Sequence, residues 1–173
     1  MALEHRISEL DTYLFAKGRH YEIYEKMGAH LAEEDGKAGT YFSVWAPNAR
    51  SVSVVGDFNN WDRTAHPMQP VQQSGIWDIF VPGVKAGDLY KFAVETSQGY
   101  TVLKADPYGN QSQLRPDNAS VVADIRYFDW TDQAWRKAHQ EKKTESPMAI
   151  YEVHPGSWKK DPSMPGEFYN FKK

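Results

Sequence analysis

The feature that most limits the fold of this chain is a series of short alternating segments between about residue 40 and residue 125. Apolar and polar side chains alternate in them with a period of two, which is the spacing of a strand with one buried face. Turn-forming residues separate the segments, and no helical pattern interrupts them. The predicted strands are Thr40–Ala46, Ser51–Val55, Ile76–Val81, Leu89–Glu95, Tyr100–Lys104 and Val121–Ile125. Many short strands in this order predict a mainly β fold, an immunoglobulin-like antiparallel β-sandwich.

The fourth predicted strand shows how its side chains divide between two faces. Tyr90, Phe92 and Val94 share one face, and Lys91 and Glu95 share the other. We expect the aromatic face to lie in the core of the sandwich. Lys91 is therefore expected to point outward.

The segments on either side of the sandwich have a helical period. Leu3, Ile7, Leu10 and Leu14 recur every three or four residues, and Gly18 follows as a helix stop. A loop at 33–37 ends this prefix. The predicted domains are an N-terminal helical prefix at 1–38, a β-sandwich at 39–127, a C-terminal linker helix at 128–147 and a last segment at 148–173.

The linker helix is predicted from about Asp132 to Lys143, and a short apolar run from Ala149 to Val153 follows it. That run is typical of a strand buried among parallel neighbours. No partner strand for it is visible in the residues that follow. We therefore expect an unpaired edge that is poorly ordered or pairs with the sandwich or with a second copy of the chain.

Composition excludes several classes of protein. The chain has 173 residues, a formal net charge of −3 and no cysteine, so its bulk charge does not attract nucleic acid and it forms no disulfide. No apolar stretch reaches the roughly 20 residues of a membrane helix, and the charged start is unlike a secretory signal. We expect a cytoplasmic protein with no nucleic-acid partner and no membrane partner.

The motifs of common enzyme sites are also missing. The chain has no phosphate-binding glycine loop and no nucleophile elbow. Its 6 histidines are scattered without the spacing of metal ligands. We therefore expect no cofactor and no metal.

One loop carries the most informative candidate for a binding site. After the strand that ends at Val55, Gly56 relaxes the backbone, and Asn59 and Asn60 lead to Trp61. One interpretation makes the indole a platform for a sugar ring, with the two amides bonding to hydroxyls. The other makes the indole a lid on the end of the sandwich and the asparagines turn formers. The residues alone leave both interpretations open.

Several motifs of the chain occur together in one known family. They are Phe42-Ser43-Val44-Trp45-Ala46-Pro47-Asn48-Ala49, Val52-Ser53-Val54-Val55-Gly56-Asp57-Phe58-Asn59-Asn60-Trp61, Gly75-Ile76-Trp77, Leu89-Tyr90-Lys91-Phe92 and Lys104-Ala105-Asp106-Pro107-Tyr108. With them, residues 39–106 resemble the carbohydrate-binding modules of the forty-eighth family. These modules are attached to starch- and glycogen-active enzymes and to the β subunit of an energy-sensing kinase. The resemblance implies a sandwich that binds α-glucan.

A second group of motifs lies beyond the sandwich. It comprises Arg115-Pro116 and Ile150-Tyr151-Glu152-Val153-His154-Pro155-Gly156-Ser157-Trp158. These resemble the entry into the catalytic barrel of glycogen-branching enzymes, which cleave an α-1,4 glucan and transfer it to a 6-hydroxyl. A closed barrel needs roughly 200 residues or more. The resemblance implies that residues 148–173 are the truncated start of a catalytic (β/α)8 barrel, and that the sandwich at 39–127 is its carbohydrate-binding module. We therefore expect no catalytic residues here and no branching activity from this chain alone.

The resemblance also implies roles for single residues. In glycogen-binding members, the residues that match Trp61 and Lys91 contact glucan. Tyr100 is the nearest match to a second aromatic platform, but it lies farther upstream of the Asp-Pro pair than the family pattern has it. Trp45 and Trp77 are predicted to belong to the core.

Two functions of the sandwich remain open. One is a glucan-binding module of a glycogen-branching enzyme in glycogen biosynthesis, whose partners are α-1,4-glucan oligosaccharides or glycogen and the missing catalytic barrel. The other is a domain that braces the barrel without binding sugar. An unrelated immunoglobulin-like adhesion domain is disfavoured by the Phe-Asn-Asn-Trp loop. Whether the Trp61 and Lys91 face is open, or covered by the prefix helix, distinguishes the first two.

Overall fold

The structure is a computed structural model that describes residues 6–126, 129–140, 147 and 149–168. The backbone divides into two units, Met1–Phe128 and Asp129–Lys173, and each is described by itself. Within the described ranges, no helix combines the length and the apolar character needed to cross a membrane.

The first unit is an antiparallel β-sandwich preceded by one short helix. Its helix and strands are α1 (Glu9–Ala16), β1 (Gly28–Glu34), β2 (Lys37–Trp45), β3 (Ala49–Gly56), β4 (Gln69–Pro70), β5 (Ile76–Pro82), β6 (Leu89–Thr96), β7 (Thr101–Lys104), β8 (Gln111–Ser112) and β9 (Ser120–Val121). One sheet has the order β1-β2-β5-β4, and the other has the order β3-β6-β9-β8 with β7 also paired to β6. The predicted mainly β fold is confirmed.

The main core lies between the two sheets. Its largest fully buried side chains include Phe42 of β2 and Tyr90 and Phe92 of β6, each 0% exposed. The rings of Phe42 and Tyr90 meet edge to face with their centroids 5.0 Å apart. Burial of each such ring contributes about 1.5–3 kcal/mol. The predicted assignment of the aromatic face of β6 to the core is confirmed.

A second apolar cluster joins the prefix to the sheet that contains β2. The predicted helix is present only in its second half, as α1, which begins at Glu9 and leaves Ile7 in a bend before it. Gly18 follows α1 with a left-handed φ of 63°. Leu3, which was part of that prediction, lies outside the described residues. The buried members of the cluster are Ile7, Ile23, Met27, Val71 and Ile76.

Asp11 is the polar centre of the prefix. Its residue is only 7% exposed, and its carboxylate contacts Lys26 Nζ at 2.5 Å and His20 Nε2 at 2.8 Å. It also accepts hydrogen bonds from the backbone N–H and the hydroxyl of Ser8, both at 2.7 Å. Burial opposes ionisation, but the bonds from Lys26, Ser8 and His20 outweigh it and hold the pKa of the Asp11 carboxyl well below its usual range.

Three strands of the sandwich were not predicted. β1 lies in the region assigned to the helical prefix. It was not predicted as a strand because its Gly-Ala-His-Leu-Ala-Glu-Glu sequence has low β-propensity. Pairing with β2 along its whole length imposes the strand, and the predicted loop at 33–37 contains the turn of this hairpin. β4 and β8 have two residues each. The last predicted strand is shorter than expected, since β9 ends at Val121.

The second unit contains helix α2 (Gln133–Gln140), which lies within the predicted linker helix. The end of that prediction, residues 141–146, lies outside the described residues. Ala149 to Val153 form no strand, and Ile150 and Tyr151 are 85% and 74% exposed. The buried strand that this run resembles is therefore not formed, since an isolated strand has no neighbour for its hydrogen bonds.

Candidate functional site

The candidate site begins where β3 ends at Gly56, a position that has no room for a side chain. Its φ of −178° is extended backbone that any residue adopts, so the predicted role of relaxing the backbone is wrong. A Cβ built there would lie 2.1 Å from the carbonyl oxygen of Leu89 and 2.6 Å from the ring of Phe58. Glycine is required because β6 and the following loop pass so close.

The loop after Gly56 contains two consecutive left-handed residues. Asn60 has a φ of 53° and Trp61 has a φ of 60°, a region that asparagine tolerates and that bulky residues rarely adopt. The backbone N–H of Trp61 donates to the carbonyl oxygen of Gly56 at 3.0 Å. Holding a tryptophan in this conformation costs about 1–3 kcal/mol, and such strain clusters at functional sites.

The side-chain amide of Asn59 closes this loop from inside. Its Oδ1 accepts the backbone N–H of Gly56 at 2.9 Å. Its Nδ2 donates to the carbonyl oxygen of Val54 at 3.0 Å and lies 2.9 Å from Nδ1 of His66. A sugar hydroxyl would have to compete with these bonds for Asn59, so the amide is built into the loop. Asn60, which is exposed, stands next to the indole.

The indole of Trp61 is partly exposed, and its orientation is set from within the loop. Its Nε1–H donates to Oδ1 of Asp57 at 3.0 Å. Because the N–H is already paired, the ring can offer a ligand its faces more readily than a hydrogen bond. Preorganised rings of this kind lose little conformational entropy when they bind.

Lys91 shares the end of the sheet from which the loop leaves. Gly56 of β3 pairs with Tyr90 of β6, and Trp61 is bonded to Gly56, so the loop and Lys91 are neighbours in the pairing register. Tyr90 lies in the core, which puts Lys91 on the outer face because side chains alternate along a strand. The Lys91 ammonium donates to Oδ1 of Asn118 at 2.5 Å. The register thus places Lys91 beside the end of β3 from which the Trp61 loop leaves.

Tyr100 lies at the other end of β6. Its carbonyl oxygen accepts the backbone N–H of Thr96 at 2.9 Å and the Thr96 hydroxyl at 3.1 Å. Thr96 is five residues from Lys91, a distance of roughly 17 Å along a strand. Tyr100 is 55% exposed, but it does not share a corner with Trp61. The register therefore places Lys91 near the start of the Trp61 loop and Tyr100 at the far end of β6.

The prefix helix packs against the other sheet. Phe15 of α1 meets Trp45 of β2 edge to face with the ring centroids 6.0 Å apart, and the second apolar cluster also joins the prefix to that sheet. Trp61 and Lys91 belong to the sheet that contains β3 and β6. In the part of the chain that the structure describes, the packing contacts of α1 do not cover the Trp61 and Lys91 face.

Two further tryptophans of the sandwich were predicted to belong to the core. Trp77 packs partly buried against the main cluster, and its Nε1–H donates to the carbonyl oxygen of Ala46 at 3.1 Å. Trp45 is 52% exposed, so its assignment to the core was wrong. It is the last residue of β2 and lies on the face opposite Phe42 and Val44, where Phe15 of α1 meets it.

Sequence reasoning missed three side chains that shape the site, namely Asp57, His66 and Asn118. Asp57 precedes Trp61 by four residues, so a carboxylate within reach of the indole N–H was readable from the loop sequence. Asn118 lies 27 residues after its partner Lys91, and His66 meets Asn59 only when the loop closes on itself. Neither of these two contacts leaves a signal in the local sequence.

Comparison with known families gives this geometry a context. Residues 26–109 match the family model of carbohydrate-binding module 48, described also as the isoamylase N-terminal domain. Residues 26–109 form a module of this family. The match starts before β1, in agreement with the strand that the predicted module boundary at residue 39 left out.

The module also has close counterparts in longer proteins. The chain is 51% identical to the 1,4-alpha-glucan branching enzyme GlgB of Protochlamydia amoebophila over 95% of its own length. It is 49% identical to the enzyme of the same name from Butyrivibrio fibrisolvens over 96% of its length. These alignments span 23% and 26% of the two relatives. The chain thus spans about a quarter of the length of the curated relatives that it matches.

Proposed function

We propose that the module binds α-1,4-glucan at the corner formed by Trp61 and Lys91, with the indole as a stacking platform. The observation that carries the proposal is the strained, internally bonded conformation of Trp61, with φ at 60° and the indole N–H paired to Asp57. A glucose ring presents a face of C–H bonds, and the electron-rich face of an indole attracts such partial positive charge. Lys91 adds a donor for a hydroxyl oxygen beside the ring.

Binding of this kind is weak. One stacked ring and a few water-competed hydrogen bonds leave little free energy after the cost of association. We expect a dissociation constant of about 0.1–1 mM, or roughly 4–5.5 kcal/mol. Such affinity suits a module that meets a polymer with many equivalent ends.

Titration of the chain with maltoheptaose, followed by calorimetry or by amide chemical shifts, tests the proposal. We expect saturable binding to the wild type and a loss of affinity of about tenfold or more in Trp61→Ala. Cellohexaose, whose β-1,4 chain is straight, serves as the matched sugar control and is expected to bind more weakly. Equal binding by the two proteins, or binding by neither, would exclude Trp61 as a platform.

The chemistry of the branching enzymes is assigned to the rest of the parent protein. Retaining transfer needs two carboxyl groups about 5 Å apart, and residues 148–173 are too few for the barrel of roughly 200 residues or more that holds such a pair. The chain itself is therefore expected to leave amylose unbranched. An iodine-staining assay with a check for α-1,6 linkages measures this directly, against a control without protein.

A cysteine-free chain of this kind also fits a reducing cytoplasm.

A bracing role against the catalytic barrel is the second candidate function. One observation favours it: the prefix and the adjacent end of β2 expose several large apolar side chains, a pattern that marks contact surfaces. These are Leu10, Tyr13, Tyr21, Tyr24 and Trp45. The maltoheptaose titration separates the two functions, because a module that only braces the barrel does not bind the sugar at the Trp61 corner.

A further inference from the structure

A side-chain latch closes the Trp61 loop, and we infer that it holds the indole in place only while the imidazole of His66 is neutral. The latch is the contact between Asn59 and His66, with Nδ2 and Nδ1 separated by 2.9 Å. Its effect on sugar binding rests on the proposed function. The latch itself follows from the contacts inside the loop.

The backbone decides which way the Asn59 amide points. The N–H of Gly56 can only donate, and the carbonyl oxygen of Val54 can only accept. The first lies 2.9 Å from Oδ1 and the second 3.0 Å from Nδ2. The opposite orientation of the amide would place two acceptors together and two donors together. The NH2 group of Asn59 must therefore face both Val54 and His66.

This orientation fixes the proton on His66. The second N–H of the Asn59 amide is directed at Nδ1 of His66, so Nδ1 must accept and the ring proton must sit on Nε2. If Nδ1 takes up a proton, two donors face each other at hydrogen-bond distance. The contact then changes from an attraction to a repulsion.

The repulsion would be transmitted to Trp61 through two bonds. Asn59 holds the backbone N–H of Gly56, and the carbonyl oxygen of Gly56 holds the backbone N–H of Trp61. His66 also packs its ring edge to face on Phe58, with the centroids 5.8 Å apart. A displaced Asn59 therefore loosens the turn between Gly56 and Trp61, which holds the backbone of Trp61 in its left-handed conformation. Asn59 and His66 act as positioning residues for the platform.

The charged groups near His66 define the surroundings in which it would take up a proton. The carboxylate of Asp62 is the acidic group that interacts with His66 through its charge, while Asp57 is engaged with the indole N–H. Arg63 is exposed in the same loop, and residues 51–56 of β3 contribute no charged side chain. Phe58, the ring that packs on His66, is neutral. The loss of one hydrogen bond then weakens maltoheptaose binding by about threefold to tenfold on protonation.

Nuclear magnetic resonance of the whole chain tests the latch without any ligand. At about pH 7.5, two-bond proton–nitrogen spectra are expected to show His66 as the tautomer with the proton on Nε2. The indole N–H signal of Trp61, assigned by its absence in Trp61→Phe, is expected to shift together with the titration of His66. A proton on Nδ1 at that pH, or an indole signal that ignores the titration, would overturn the inference.

A ratio of affinities tests the consequence for binding. Maltoheptaose is titrated at about pH 7.5 and about pH 5, a range over which imidazoles ordinarily take up a proton. The wild type is expected to bind threefold to tenfold more weakly at the lower pH. His66→Asn keeps a neutral acceptor near the position of Nδ1, so its two affinities are expected to be equal even if both are lower. His154→Gln, which alters an exposed histidine of the second unit, is the matched control and keeps the wild-type ratio.

The outcomes separate the latch from the proposed function. Binding with the same pH ratio in the wild type and His66→Asn refutes the latch and leaves the glucan site standing. No binding at either pH, together with a Trp61 signal that follows His66, refutes the glucan site and keeps the latch. A lower affinity of His66→Asn at both pH values with an unchanged ratio would give His66 a purely structural role.

Discussion

Trp61 and Trp45 stand at two corners of the sandwich, and their surroundings differ in kind. Trp45 is the more exposed, at 52%, and it ends a regular strand, where Phe15 meets it edge to face. Trp61 is partly buried, and a strained backbone and a hydrogen bond from its indole set its position. Exposure alone therefore does not identify a binding platform. The better criterion is whether the surrounding residues hold the ring in one orientation.

The largest expected effect comes from substituting the glycine at the Trp61 corner and comparing it with the glycine at the Trp45 corner. Gly56→Ala places a methyl group 2.1 Å from the carbonyl oxygen of Leu89, so we expect a loss of about 3 kcal/mol in the free energy of unfolding. Because the strand and the loop must move apart, maltoheptaose binding is expected to disappear as well. Urea unfolding and the sugar titration measure the two effects.

Gly75→Ala is the matched variant at the Trp45 corner. Its φ is 76°, and a Cβ there would lie 2.7 Å from the Cβ of Pro47. We expect a loss of about 1–3 kcal/mol in stability, with unchanged affinity in the protein that remains folded. A Gly75→Ala protein that folds but no longer binds maltoheptaose would show that the two corners are coupled.

The second effect concerns the two rings themselves. Trp45→Ala is expected to lower the free energy of unfolding by about 1 kcal/mol, since it removes the ring contact with Phe15, and to leave maltoheptaose affinity unchanged. Trp61→Ala is expected to weaken maltoheptaose binding and to change the free energy of unfolding little. An alanine at this position keeps most of the strain of the left-handed backbone, so deleting the ring relieves that strain only in part. Side-by-side calorimetry and thermal unfolding compare them. If Trp45→Ala loses affinity, both corners take part in binding.

A smaller effect is expected at the ammonium beside the platform. Lys91→Met keeps the length of the side chain and removes its donor, so maltoheptaose binding should weaken about threefold to tenfold. Lys37→Met, at the start of β2, is the control for loss of one positive charge. Equal affinities of Lys91→Met and the wild type would restrict the site to the indole.

The smallest effect on the platform is expected from the prefix. The depressed pKa of Asp11 means that its stabilising contribution is present above the ordinary carboxyl value of 3.8 and is lost as pH falls through the lower folded value. Asp11→Asn should therefore be less stable than the wild type at neutral pH, with a difference that shrinks in acid. Urea unfolding at several pH values measures this. The indole signal of Trp61 should not change, since the prefix packs on the other sheet.

The sequence predicted most reliably the features that depend on local patterns. The alternation of Tyr90, Lys91 and Phe92 is set by strand geometry, and the structure confirms the core face. β1 escaped prediction because tertiary pairing, and not propensity, makes it a strand. Trp45 was misassigned because β2 packs on both faces: Phe42 and Val44 face the main core, whereas Trp45 alternates to the opposite face and meets Phe15 of the prefix.

The candidate site was predictable to a similar degree. The Phe-Asn-Asn-Trp motif located the loop that we propose as the platform, since its turn residues and its indole are adjacent in the chain. The orientation of that indole was not predictable, because it depends on two left-handed residues and on bonds from Asp57 and Asn59 that form only in the folded loop. Asn118 comes from a distant hairpin, and only three-dimensional contact reveals it.

Every bond that the structure gives for the tilt of the Trp61 ring is made by residues 54–66. The angle of the Trp61 ring is thus set within these thirteen residues, which we call the cassette, and the remaining strands only support it. Grafting that cassette between two equivalent strands of another sandwich should carry the angle with it. A change confined to this short segment would then alter the angle of the proposed platform and leave the rest of the sandwich unchanged.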